Sequence, residues 1–299
     1  MDKNAKSPIG KWLNIARYWS FQVDFVAVSV GAAFVAGSAT PQSIILYLVL
    51  LAGAFSMNAF GNIANDIFDF RHKVDSKEDA AVTKRGHPLV TGSADEKKLI
   101  LVSIMLLIMA LACGIYLATV RGAVIILLGI VGAIGAFFYT AGKHNLKRYG
   151  MGELLMFIIF GPMMVCASCY IETGSFLYSS LPASFVVGIA VALIMLSNNI
   201  RDIKPDIKAG MKTIAVRLGI DKARVLFKVF IFLIYALVAA SVMISAVPVT
   251  ALIVFLSLPY AISMYRETAG AKEIPYNAAA ITTSFYMLFG VLLAIGIAI

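Results

Sequence analysis

Asn65-Asp66-Ile67-Phe68-Asp69 and Asn198-Asn199-Ile200-Arg201-Asp202 put hard oxygen donors at the ends of two apolar segments. Residues four apart on an α-helix share a face. Asn58, Asn62, Asp66 and Asp69 therefore form a polar stripe, with Asn65 beside it and Asp75 just beyond. Asn198, Asp202 and Asp206 repeat the step of four on the second segment. Carboxylates at a membrane edge are costly unless paired, hydrated or bound to a cation, and five converging acids would repel one another without one. Asp and Asn oxygens suit Mg²⁺, which takes one or two carboxylates, retains waters and completes its shell with phosphate oxygens. The pattern points to Mg²⁺ and a diphosphate. Arg71, Lys73, Lys143, Arg201 and Lys208 interleave the acids and match what an anionic leaving group requires. One such motif at a helix end is often only a solvated terminus; two at equivalent points make a site.

The elements that must carry these residues are membrane helices. Of the 299 residues 61% are hydrophobic and 14% charged, and the mean hydropathy is +0.89. A spanning helix needs about 20 mainly apolar residues. Nine segments meet this, near 17–37, 43–65, 98–118, 122–140, 151–171, 182–200, 224–246, 248–264 and 278–298. The reading is an all-α integral membrane protein, one domain over 1–299, with nine transmembrane helices in a bundle. The first apolar run outlasts a signal-peptide core, so no cleavable leader is expected. Cys113, Cys166 and Cys169 fall in apolar segments without partners at metal-ligand spacing, and read as small buried residues.

The net charge of +9 would fit nucleic acid, but its distribution argues against that partner. With the N-terminus inside, 24 of the 25 lysines and arginines fall on one side and only Arg121 on the other. That is the positive-inside pattern, which puts the N-terminus and the acid motifs at the cytoplasmic side of the cytoplasmic membrane. The outer connections are short and nearly uncharged, whereas 66–97 and 201–223 are polar and rich in both charge signs. These two read as cytoplasmic active-site loops. The motifs end segments two and six, so segments one to four and five to eight read as two four-helix units with the ninth appended, the motifs facing one cavity.

Around these residues the chain resembles the UbiA superfamily of intramembrane prenyltransferases. The two motifs with Asp75 and Asp206, the Tyr139-Thr140-Ala141-Gly142-Lys143 element, and the run Gly210…Thr213-Ile214-Ala215-Val216-Arg217-Leu218-Gly219 carry the likeness. It implies that Asn65, Asp66, Asp69, Asp75, Asp202 and Asp206 hold Mg²⁺ against an isoprenoid diphosphate. Asn198, Tyr139, Lys143, Arg71, Lys73, Arg201 and Lys208 would bind the diphosphate and stabilise the charge that grows as the allylic C–O bond breaks. Asp66, Asp69, Asp202, Asp206, Lys143 and Tyr139 form the implied catalytic set. A lipophilic aromatic acceptor then attacks the allyl cation.

The Asp69-to-Asp75 spacing and the N-N-x-R-D-x-x-x-D form of the second motif resemble MenA-type enzymes, which implies 1,4-dihydroxy-2-naphthoate as acceptor in menaquinone biosynthesis. Arg85-Gly86-His87-Pro88-Leu89-Val90-Thr91-Gly92 is similar to a run in other branches, including archaeal lipid synthases that prenylate geranylgeranylglyceryl phosphate. Arg17 and Asp24 lie seven apart, hence on one helical face. With Asn58 and Asn62 they are candidate acceptor contacts, or else they satisfy neighbouring helices. Glu153 is expected to be a solvated interfacial acid, and His72, His87 and His144 solvated loop residues. An ion-coupled transporter is the reading from another class; it would place acids near the midplane of several spans, whereas these cluster at inner helix ends.

Overall fold

The computed structural model describes residues 8–71, 88–140 and 149–299. Every regular element among them is helical. In chain order they are α1 (Pro8–Ile15), α2 (Phe21–Ala33), α3 (Pro41–Arg71), α4 (Glu96–Arg121), α5 (Val124–Thr140), α6 (Gly152–Thr173), α7 (Ser180–Arg201), α8 (Ile203–Lys208), α9 (Ile214–Met243), α10 (Val249–Glu267) and α11 (Ala278–Ala298). Seven of them, α3, α4, α6, α7, α9, α10 and α11, are long and apolar enough to cross a membrane.

The first and fourth expected spans give the shorter helices, α2 with 13 residues and α5 with 17. The first is cut short because Arg17 adopts a left-handed conformation (φ 56°, ψ 52°) followed by a 3₁₀ turn at Tyr18–Ser20. The helical-face argument joining Arg17 to Asp24 therefore fails: the chain bends between them. The polar segment 201–223 also departs from a loop, since α8 and the first turns of α9 occupy most of it.

Pro41 opens α3, where its missing N–H costs nothing. Thr40 and Ser43 exchange side-chain-to-backbone bonds of 3.2 and 3.1 Å in the manner of a capping box. At 1.5 Å per residue the 31 residues of α3 extend roughly 46 Å, well beyond a hydrocarbon core about 30 Å thick. Its polar C-terminal turns can thus stand clear of lipid.

The most extensive helix contacts pair α6 with α7, α3 with α4 and α7 with α9. The helix α7 is the most enclosed span, and Val187, Leu193, Phe227, Phe285 and Phe289 fill the core around it. α6 reaches α7 through a π-turn at Ile159–Met163 containing Pro162. There Gly161 lies so close that an added Cβ would stand 2.6 Å from Ser184 O. Small residues at such crossings let membrane helices approach at backbone distance. A second cluster, Ile15, Ile63, Ile67 and Leu99, fastens α1 onto α3 and α4.

Candidate active site

The C-terminal half of α3 presents its polar stripe to the bend before α2. Asn58 Nδ2 donates to Asp24 Oδ2 at 2.6 Å, and Asn62 Nδ2 donates to Asn58 Oδ1 at 2.8 Å and to Ala16 O at 3.1 Å. Ser20 Oγ joins them, 2.8 Å from Asn58 Oδ1 and 3.1 Å from Asn62 Nδ2. Asp24 is 2% exposed, so the Asn58 amide, itself held by Ser20 and Asn62, gives a carboxyl group inside the bundle a partner. Arg17 turns the other way. Its Nη2 lies 2.8 Å from Oδ1 of Asp66, whose side chain is 2% exposed. The left-handed backbone at Arg17 brings this about, redirecting the chain just where its guanidinium meets α3.

The second motif ends α7. Arg201 grips Asp202 with two parallel bonds of 2.7 and 2.6 Å and donates from Nη1 to Tyr276 O at 3.0 Å. The helix stops at Asp202, yet Asp202 N–H still bonds Asn198 O and Asp206 N–H bonds Asp202 O. The step of four therefore survives into α8. Thr213 Oγ1 lies 3.3 Å from Asp206 Oδ2 while also capping α9. α3 and α7 share α2 and α6 as neighbours and form no extended contact with each other among the described residues.

Asn65 and Asn198 are half-buried and Lys208 is exposed. Arg71 pairs with Glu96 at 2.7 Å on the surface. Asp75, Lys73 and Lys143 lie outside the described residues, as do His72, His87 and His144, while Tyr139 and Asp69 are placed by backbone alone, on α5 and α3. The three cysteines are free, with Cys166 and Cys169 buried. Glu153 departs from its expected solvated position: it is 3% exposed, and its Oε1 accepts from Asn199 Nδ2 at 2.7 Å. Sequence reasoning gave neither this pair nor the bridging role of Ser20. The available signal for Glu153 was a carboxylate at the start of an apolar span, which is costly unless partnered.

Hard-oxygen donors thus stand on α3, where Asp66 is buried, and at the end of α7. Residues 25–289 match the model of the UbiA prenyltransferase family. The chain belongs to this family. It is a prenyltransferase and, with seven long apolar helices among the described residues, an integral membrane protein. Among curated UbiA relatives, it is 28% identical to 1,4-dihydroxy-2-naphthoate octaprenyltransferase of Bacillus subtilis, over 98% of this chain and 94% of that one. It is 26% identical to 2-carboxy-1,4-naphthoquinone phytyltransferase of Synechocystis, over 95% and 92%. Among solved structures, a UbiA homolog from Archaeoglobus fulgidus bound to GPP and Mg²⁺ superposes with a TM-score of 0.69 at 19% identity, covering 96% of this chain and 98% of that one. A digeranylgeranylglyceryl phosphate synthase superposes with a TM-score of 0.64 at 15% identity, covering 97% of each. At these identities the structures establish a shared fold. The MenA-type resemblance of the second motif agrees with the names of the two curated relatives.

Proposed function

We propose that this prenyltransferase transfers a polyprenyl group from an isoprenoid diphosphate to a bicyclic aromatic acceptor of the 1,4-dihydroxy-2-naphthoate type, in menaquinone biosynthesis. The observation that carries this reading is similarity along 95% and 98% of the chain to two enzymes named for naphthoate-derived acceptors. In this reading nine helices cross the cytoplasmic membrane as two four-helix units plus one, with the N-terminus and the site on the cytoplasmic side. The basic-residue asymmetry supports the orientation. The correspondence between the α3–α4 and α7–α9 pairs supports the repeat.

Among the described residues no three acidic, histidine or cysteine side chains meet as a ready metal cage. Mg²⁺ shared with a diphosphate does not need one. Asp66 is a buried carboxylate already balanced by a cationic group, Arg17, and Asp202 and Asp206 repeat hard oxygens at one helical step. This donor chemistry fits Mg²⁺, held by Asp66, Asp202 and Asp206 together with Asn65, Asp69 and Asp75. Bound there, Mg²⁺ would supply Lewis-acid stabilisation of the leaving diphosphate.

The protein's own groups do the rest. Asn198 and the cationic residues Lys73, Lys143, Arg201 and Lys208, with Tyr139, orient the diphosphate and offset its charge as the C–O bond breaks. Arg201 must share its guanidinium between Asp202 and the substrate. Asn58 and Asn62, braced by Asp24 and Ser20, face the acceptor with amide groups, and the apolar bundle keeps water from the allyl cation. Electron-rich ring carbon then attacks the cation, and loss of a proton, or of the acceptor's carboxylate as CO2, returns the bonding pair to the ring and restores aromaticity.

The sequence run Arg85 to Gly92, similar to one in archaeal lipid synthases, favours a second reading, a glyceryl phosphate acceptor. Purified enzyme given Mg²⁺, geranylgeranyl diphosphate and both acceptors decides between them by mass spectrometry. Prenylated naphthoate is expected to predominate; prenylated glyceryl phosphate as the main product would overturn the acceptor assignment.

A further inference from the structure

We propose that Glu153 is a positioning residue that sets the orientation of the second acid motif by gripping Asn199, so that metal binding depends on a carboxylate outside either motif. The inference rests on the diphosphate-site reading given above. Glu153 lies in the first turn of α6 and is 3% exposed, and Asn199, in the last turn of α7, is 7% exposed. Their bond, Asn199 Nδ2 to Glu153 Oε1 at 2.7 Å, joins residues 46 apart. The other carboxylate oxygen, Oε2, is buried without a hydrogen-bond partner among the described residues. A buried acid with one idle oxygen is costly, and the bond it makes falls on the residue flanked by Asn198 and, three positions on, Asp202. Successive helical residues point about 100° apart, at 3.6 per turn. Anchoring Asn199 towards α6 therefore fixes where Asn198 and Asp202 point.

The same short segment holds the far side of the motif. Gly150 (φ 69°) seats against the next loop so closely that a Cβ would stand 2.6 Å from Lys212 O. Arg217 Nη2 donates to Tyr149 O at 2.8 Å and Arg217 Nε to Lys212 O at 3.0 Å. Thr213, in that loop, reaches Asp206. Residues 149–153 thus bracket the motif before Asp202 and after Asp206.

The test uses full-length protein in detergent, with Mn²⁺ binding read by electron paramagnetic resonance in the presence of inorganic pyrophosphate. Glu153→Ala and Asn199→Ala are each expected to weaken Mn²⁺ binding about tenfold or more, the usual effect of losing a group that orients a ligand. Their double variant should add little further loss. Glu153→Gln retains an acceptor for Asn199 and should stay near wild type. Wild-type Mn²⁺ affinity in a folded Glu153→Ala or Asn199→Ala protein would overturn the inference, as would a Gln variant as defective as the Ala variant. Should Glu153→Ala fail to fold, Asn199→Ala removes the same bond and decides alone. Absence of Mn²⁺ binding in the wild type would remove the underlying site reading, and the inference with it.

Discussion

Arg17 and Asp66 form an ion pair across 49 residues of sequence, Nη2 to Oδ1 at 2.8 Å, with the Asp66 side chain 2% exposed and the Arg17 side chain 32%. The pair links the bend before α2 to the first acid motif. A positive charge beside Asp66 is therefore part of the protein itself, and removal of Arg17 leaves a buried carboxylate to find compensation elsewhere. Arg17→Ala is expected to destabilise the metal-free protein by about 1–3 kcal/mol, less than a fully enclosed pair would lose because Arg17 is partly exposed. Thermal unfolding with and without Mg²⁺ and pyrophosphate checks this. The gap between variant and wild type should narrow when the divalent ion is present, and an equal gap in both conditions would contradict the shared-charge account.

Removal of a metal donor from either motif should stop turnover without unfolding the bundle. Asp66→Ala and Asp202→Ala are each expected to lower the rate on the order of a hundredfold or more, as losses of transition-state charge stabilisation do. Excess EDTA should reduce wild-type activity to background and Mg²⁺ should restore it. Full activity in EDTA would remove the metal from the mechanism.

Orientation can be read with fused reporters. A reporter placed after Lys97 is expected on the cytoplasmic side and one after Ile299 on the outer side, because 24 of 25 basic residues assort with the first position. An external signal at Lys97 would move the acid motifs to the other face.

The α6–α7 crossing tests the fold independently of the chemistry. A Cβ at Gly188 would stand 2.6 Å from Phe157 O, a backbone atom with little room to yield. Gly188→Val is therefore expected to cost about 1–3 kcal/mol through overpacking and to lower the unfolding temperature. Gly61, whose Cβ would meet nothing within 4 Å among the described residues, supplies the control: Gly61→Ala should leave stability unchanged or raise it slightly, since alanine is the better helix former.

Local pattern determined much of this protein. Apolar runs located the membrane helices, and steps of four located the stripes at Asn58, Asn62 and Asp66 and at Asn198, Asp202 and Asp206. Those stripes follow from the 3.6-residue period, which is a property of each helix alone. The acids at helix ends were likewise legible before any packing was known, and with them the expectation of a cation. The length of α2 was not legible, because apolar composition over 17–37 does not reveal a left-handed turn at Arg17.

Tertiary structure decided which faces meet. Arg17 bonds Asp66 rather than Asp24, Asn58 holds Asp24, and Glu153 holds Asn199. Periodicity tells which residues share a face, whereas the rotation and neighbours of each helix settle what that face touches. Those follow from close contacts such as Gly161 on α7 and the turn at Gly150 against Lys212, which join residues far apart in sequence. The sequence by itself thus determined a membrane bundle with two acid-rich helix ends, and only the packed bundle determined the partners that orient them, because a buried polar group takes the partner that packing brings within hydrogen-bond reach.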